Sequence, residues 1–189
     1  MNQFLIIKII FLLVLLGLAL GQDIREKKIK NWVTFPAALA GIAINFWETG
    51  PGGVVFALQG WLVPVLSLLL LYRMNVMGAG DIKLFGAIGA LLGLRFTAWS
   101  FAFSVFAGGI MAFIILLKER TLAARMKKMC GYLVFMASTG RIIPYSARGD
   151  SSAKFIFSAA IVPGAIIQLL ITIFQLKGVT VSVGDFLGF

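Results

Sequence analysis

Residues 77–93 read Met77-Gly78-Ala79-Gly80-Asp81-Ile82-Lys83-Leu84-Phe85-Gly86-Ala87-Ile88-Gly89-Ala90-Leu91-Leu92-Gly93. Gly78 and Gly80 free the backbone just ahead of an apolar run, allowing φ values and a closeness of approach that a Cβ resists. Asp81 then falls at the N-terminus of a helix. Along that helix Gly86, Gly89 and Gly93 recur three and four apart. They form a stripe of small residues, which is either a tight contact with another helix or the wall of a groove.

The rest of the chain supplies apolar surroundings for such a helix. Of its 189 residues 60% are hydrophobic, above the roughly 45–50% of a soluble domain, and the mean hydropathy is +1.01. These figures exclude a soluble domain and predict an all-α polytopic membrane protein. A bilayer core about 30 Å thick takes roughly 20 apolar residues at about 1.5 Å each. Six stretches approach that requirement: residues 4–20, 33–47, 54–72, 82–94, 96–117 and 155–176. The second and fourth are short. The fourth can still cross if Lys83 snorkels to the headgroups and the bilayer thins around it, because mismatch costs only a fraction of a kcal/mol per Å. No linker divides the chain, so residues 1–189 are expected to form a single integral membrane domain.

Orientation follows the basic residues, which collect in cytoplasmic loops. Arg25, Lys27, Lys28 and Lys30 lie between the first two spans, Arg73 and Lys83 between the third and fourth. Lys118, Arg120, Arg125, Lys127, Lys128, Arg141, Arg148 and Lys154 lie between the last two, which puts 14 of the 17 basic residues on one side. That side is expected to be cytoplasmic, with both termini outside. Lys8 and the apolar run ending near Gly21 also fit a cleaved signal peptide, but the basic residues follow the run and the small-x-small signature of cleavage is poor, so the segment is expected to be retained. Residues 118–137 carry Leu122, Met126, Met129 and Leu133 at helical spacing among basic residues. This pattern predicts a basic amphipathic helix in the inner interface, anchored to anionic lipid. Membrane lipid is thus an expected partner, and nucleic acid is not.

Composition also restricts the chemistry. One cysteine, Cys130, and no histidine exclude a disulfide framework, the Cys and His zinc sites and a catalytic histidine. No metal and no cofactor is expected, and Asp, Glu, Ser, Lys or Tyr must carry any reaction. Asp23 closes the first span and Asp81 opens the fourth, so parity puts both at one depth on the cytoplasmic border. Taken singly, Asp81 reads as an N-cap and Asp23 as an interfacial charge. Taken together, and if the first and fourth spans are neighbours, they form a pair that cannot easily ionise twice. One carboxyl then keeps a proton while the other acts as a base, which is how paired aspartates activate water. Asp150 shares that face but reads as a loop or N-cap residue, and Asp185 lies on the opposite side.

These residues carry a resemblance. The block Gly78-Ala79-Gly80-Asp81-Ile82-Lys83-Leu84, continued through Gly89 and Gly93, is similar to the second catalytic block of the prepilin peptidase family, the GxGD membrane aspartyl proteases that include preflagellin peptidases. Asp23-Ile24-Arg25-Glu26-Lys27-Lys28-Ile29-Lys30-Asn31 resembles the family's first block, with Lys30 where proline is usual. Pro144-Tyr145 is similar to a weaker third block, although the polar residues 146–154 that follow depart from it. The likeness covers residues 18–170.

The resemblance implies six transmembrane helices and a multi-pass peptidase of the plasma (inner) membrane. It implies Asp23 and Asp81 as catalytic residues at the cytoplasmic face, supported by Gly78, Gly80, Lys83 and Asn31. The implied substrate is a prepilin or pilin-like precursor, whose short basic leader is removed, typically after a glycine. The Cys-rich N-terminal domain of larger bifunctional members is not present in the sequence, so the short, peptidase-only form is expected. The competing class is a small membrane transporter or pilus-assembly subunit without enzymatic activity, whose acids would sit near the midplane; the inner-face acids here sit at borders.

Overall fold

The computed structural model describes residues 3–26, 28–74, 76–118 and 157–176, and these are almost entirely helical. The helices are α1 (Gln3–Glu26), α2 (Asn31–Thr49), α3 (Pro51–Arg73), α4 (Ala79–Leu92), α5 (Leu94–Lys118) and α6 (Ser158–Leu176). Residues 1–108 and 156–189 belong to one compact unit. The other unit, residues 109–155, contributes to the described residues only the last turns of α5, where Ile110, Phe113, Ile114 and Leu117 are exposed. The amphipathic helix expected over residues 118–137, Cys130, the Pro144-Tyr145 block, Asp150 and Asp185 all lie outside the described residues, save Lys118 at the end of α5.

Among the described residues four helices are long and apolar enough to cross a membrane: Gln3–Glu26, Pro51–Arg73, Leu94–Ile115 and Ser158–Leu176. The two short stretches of the sequence, now α2 and α4, are helical but fall outside that group. At 14 residues, α4 extends only about 21 Å. It is nonetheless the core of its unit, since Ile82 and every residue from Leu84 to Leu91 are buried. A helix apolar on all faces has no side to offer water, so it is surrounded; α1, α2 and α3 all pack against it.

The glycine stripe is a packed contact. A Cβ on Gly89 would overlap the carbonyl of Gly60 in α3, and a Cβ on Gly60 would overlap that of Gly89, so the two backbones touch. Gly86 faces Trp61 and Val65 of α3, and Gly93 faces the ring of Phe56. On the other flank a Cβ on Gly41 of α2 would come within 2.7 Å of the Ala90 carbonyl carbon. Small residues let helices approach closely enough for dispersion to act over many atoms, which matters where lipid removes the hydrophobic drive.

Two single-residue turns keep the helices in register. Gly50, at φ +66°, ends α2 and directly precedes Pro51 of α3. Gly93, at φ +85°, ends α4 with its N–H donating to the Gly89 carbonyl at 2.8 Å. Positive φ and a proline at the first helical position suit such turns.

The C-terminal carbonyls of α4 lie inside the protein and need donors. Asn45 of α2 provides them: its Nδ2 donates to the carbonyls of Gly41 (2.8 Å), Ala90 (3.0 Å) and Leu91 (3.3 Å). Its Oδ1 accepts from Lys8 Nζ of α1 at 2.9 Å, and Lys8 in turn pairs with Glu48. Lys8 therefore sits buried among partners from α2, with its charge near the negative end of α4. Further along, Gly164 of α6 lies so close to Ser104 of α5 that a Cβ would come within 2.7 Å of the Ser104 Cα.

The packed stripe predicts that Gly89→Leu will not fold. The overlap is with backbone, so relief would separate α3 from α4, a cost of about 3 kcal/mol or more. Thermal unfolding and gel filtration in detergent should show aggregated or absent protein. Gly17→Ala, where a Cβ meets nothing within 4 Å, should unfold at or slightly above the wild-type temperature.

Candidate active site

Asp23 and Asp81 come from helices that pack on each other, α1 and α4. Each is only 9% exposed, a low figure for a carboxylate. Asp23 lies one turn before the end of α1. The chain then turns through Lys28, Ile29 and Lys30 into α2. Gln22 anchors that turn, its Oε1 accepting from the Lys30 backbone N–H at 3.1 Å. A proline at 30, usual in the block that this turn resembles, would lack this donor, so Lys30 has a local use. Lys30 Nζ also pairs with Glu26 at 2.7 Å on the exposed side of the turn.

Ile29, 5% exposed, is the seat of the turn. It rests on Gly80, where a Cβ would lie 3.0 Å from the Ile29 Cβ and 3.3 Å from its backbone N. Gly80 is thus the surface on which the α1–α2 connection docks, and docking brings the end of α1 to the start of α4.

Gly78 serves differently from its reading in the sequence. Its φ of −75° and ψ of 146° suit any residue, so backbone freedom is not what the position needs. Space is: a Cβ there would stand 3.0 Å from Asp81 Oδ2. Gly78 is the N-cap residue of α4, and Asp81 is the third residue of the helix, its carboxylate accepting from the Gly78 backbone. This is the acid half of a capping box, in place of the N-cap role that the sequence suggested.

Asp81 lies ahead of the apolar run that begins at Ile82 and outside the four candidate spans. Burial disfavours its charged form, the charge of Asp23 adds to that, and the bond from Gly78 opposes both; together they push its pKa up from 3.8 to about 6. Because the folded value is the higher, neutral Asp81 favours the fold fully below the unfolded value of 3.8, and that contribution is lost as pH rises through about 6.

Asn31 and Lys83 are joined: Lys83 Nζ donates to Asn31 Oδ1 at 2.8 Å, tying the first residue of α2 to α4. All six residues singled out in the sequence therefore lie at the same end of α1, α2 and α4. Sequence reading missed Gln22 and Ile29, which hold the turn. A lone isoleucine in a run of charged residues was the available signal for Ile29. Chemically, two buried carboxyls, one of them with a raised affinity for its proton, can hold one proton between them and offer one acid and one base.

The Gly78 contact predicts that Gly78→Ala folds, since its dihedral angles are ordinary, yet displaces the Asp81 carboxylate. Losing the bond that lowers its pKa should move Asp81 above the wild-type value, read from the carboxyl ¹³C shift of ¹³C-aspartate-labelled protein as pH is varied.

Comparison with curated proteins gives no match, and neither does comparison with solved structures. Comparison with protein families does: residues 10–113 match the type IV leader peptidase family. The match takes in more than half of the 189 residues and both segments that carry the buried acids, and the chain belongs to the type IV leader peptidase family and is accordingly a protease.

Proposed function

We propose that this chain is an aspartic-type endopeptidase of the plasma membrane that removes the short basic leader from type IV pilin-like precursors at the cytoplasmic face. Residues 1–189 act as a single membrane domain with six crossings and both termini outside. The observation that carries the reading is the pairing of two buried carboxylates on adjoining helices, with the charge of Asp23 helping to raise the pKa of Asp81. Family membership supports a leader peptidase, and the basic residues of the sequence support the cytoplasmic side.

In this mechanism Asp81 holds the proton and Asp23 is the base. Asp23 takes a proton from water as the water oxygen adds to the scissile carbonyl carbon, and Asp81 donates its proton to the carbonyl oxygen. The tetrahedral intermediate then collapses. The C–N bond breaks, the amine leaves with the proton that Asp23 took up, and Asp81 recovers its own from the intermediate. No cofactor takes part. Gly78 and Gly80 give the carboxylate and the turn their room, and Lys83 with Asn31 holds α2 to α4. The transporter reading would need charged groups available in the bundle; Lys8, the buried cation, is committed to Glu48 and Asn45.

The test is cleavage of a type IV pilin-like precursor by the purified full chain in detergent, followed as a shift in size. Asp23→Asn and Asp81→Asn should each lose about 10²-fold or more in rate, because an amide can neither accept nor supply the proton. Glu26→Gln, on the exposed side of the turn, and Asp150→Asn should stay near wild type. Substantial cleavage by either active-site variant, with membrane insertion normal, would contradict the assignment.

A further inference from the structure

A cleft of about 400 Å³ is lined by residues of α2 together with Trp61 of α3 and Lys83 of α4, and by neither acid. Lys83 is two positions on from Asp81, about 200° around a helix, so it serves a different face of α4 from Asp81. Its ammonium has three protons. One goes to Asn31 Oδ1, and among the described residues no carboxylate lies within ion-pairing distance. Below this charge the walls are apolar and aromatic: Trp61 sits over Gly86, and Trp32 and Phe35, 61% and 56% exposed, flank the opening. Thr34, only 4% exposed, also lines the cleft and makes no side-chain hydrogen bond among the described residues.

A cationic rim with donors to spare above an aromatic trough is complementary to an amphiphile with an anionic head. We propose that the cleft is a binding site for an anionic phospholipid. Its phosphate meets Lys83 and the Asn31 side-chain amide, and its acyl chain lies along Trp61 and Phe35. Charge complementarity selects the occupant, since nothing described neutralises Lys83, and the proposed membrane border places the rim at headgroup level, where tryptophan collects. A precursor peptide is the less suited occupant, because neither Asp23 nor Asp81 lines the cleft. The inference does not depend on the acid pair being catalytic.

Native mass spectrometry of the detergent-solubilised full chain tests it, with dioleoyl phosphatidylglycerol and dioleoyl phosphatidylcholine as probes. The wild type should retain one phosphatidylglycerol at about fivefold lower lipid concentration than phosphatidylcholine, the preference that one basic residue gives at an anionic surface. Lys83→Met should erase the difference and Lys83→Arg should keep it. Phe35→Glu, which puts a carboxylate on the exposed rim, should also erase it and serves if Lys83→Met does not fold. Arg73→Gln, away from the cleft lining, should keep the preference. Asp81→Asn should bind lipid like the wild type, so failure of the protease reading and failure of this one are separable. Equal retention of the two lipids by the wild type, a preference that survives both cleft variants, or displacement of the bound lipid by a leader peptide would overturn the proposal.

Discussion

The side-chain amide of Asn45 donates to the carbonyls of Ala90 and Leu91, and the rest of the structure depends on that interaction because α4 ends inside the protein. A helix of 14 residues leaves its last carbonyls without partners at a depth where water is scarce. Each unpaired group would cost about 1–3 kcal/mol. Asn45 removes that cost, and Lys8, held by Glu48, fixes Asn45 in turn. With its far end satisfied, α4 can be short, apolar on every face and enclosed by α1, α2 and α3.

Along the rest of α4 packing is governed by space. Gly89 against Gly60 sets the distance to α3, and Gly80 against Ile29 sets where the α1–α2 turn docks. Gly78 leaves room for the Asp81 carboxylate to reach back to the cap of its own helix. Each absent Cβ is occupied by an atom of another segment or of the acid itself. The consequence is electrostatic: two carboxylates are brought out of water beside each other, and one of them holds its proton more tightly than a free aspartate would. In the proposed chemistry that proton is what the carbonyl oxygen requires, and the leaving amine takes the one that Asp23 removes from water.

Much of this was legible in the sequence. The long apolar runs of α1, α3, α5 and α6 announce themselves through hydropathy, and the glycines three and four apart mark a close helix contact. Parity predicts one border for Asp23 and Asp81, and the packing of α1 on α4 gives the two acids a common site. What was not legible depends on contacts between distant residues. Lys8 has its partners 37 and 40 positions away, so in the sequence it was an isolated charge in an apolar run. The role of Asn45 needs knowledge of what packs on the end of α4, which hydropathy does not provide even where the break between the fourth and fifth stretches marks that end. Gly78 was read for backbone freedom when its dihedral angles are ordinary, since sequence cannot distinguish a glycine needed for φ from one needed for room.

The central claim is that Asp23 and Asp81 are electrostatic neighbours in one site. The most direct measurement is the ¹³C titration of the Asp81 carboxyl in wild type and in Asp23→Asn. The wild-type value should lie near 6 and fall in the variant, because the neighbouring charge is removed, while staying above 3.8 because burial remains. An Asp81 value that is the same in both proteins would contradict that claim.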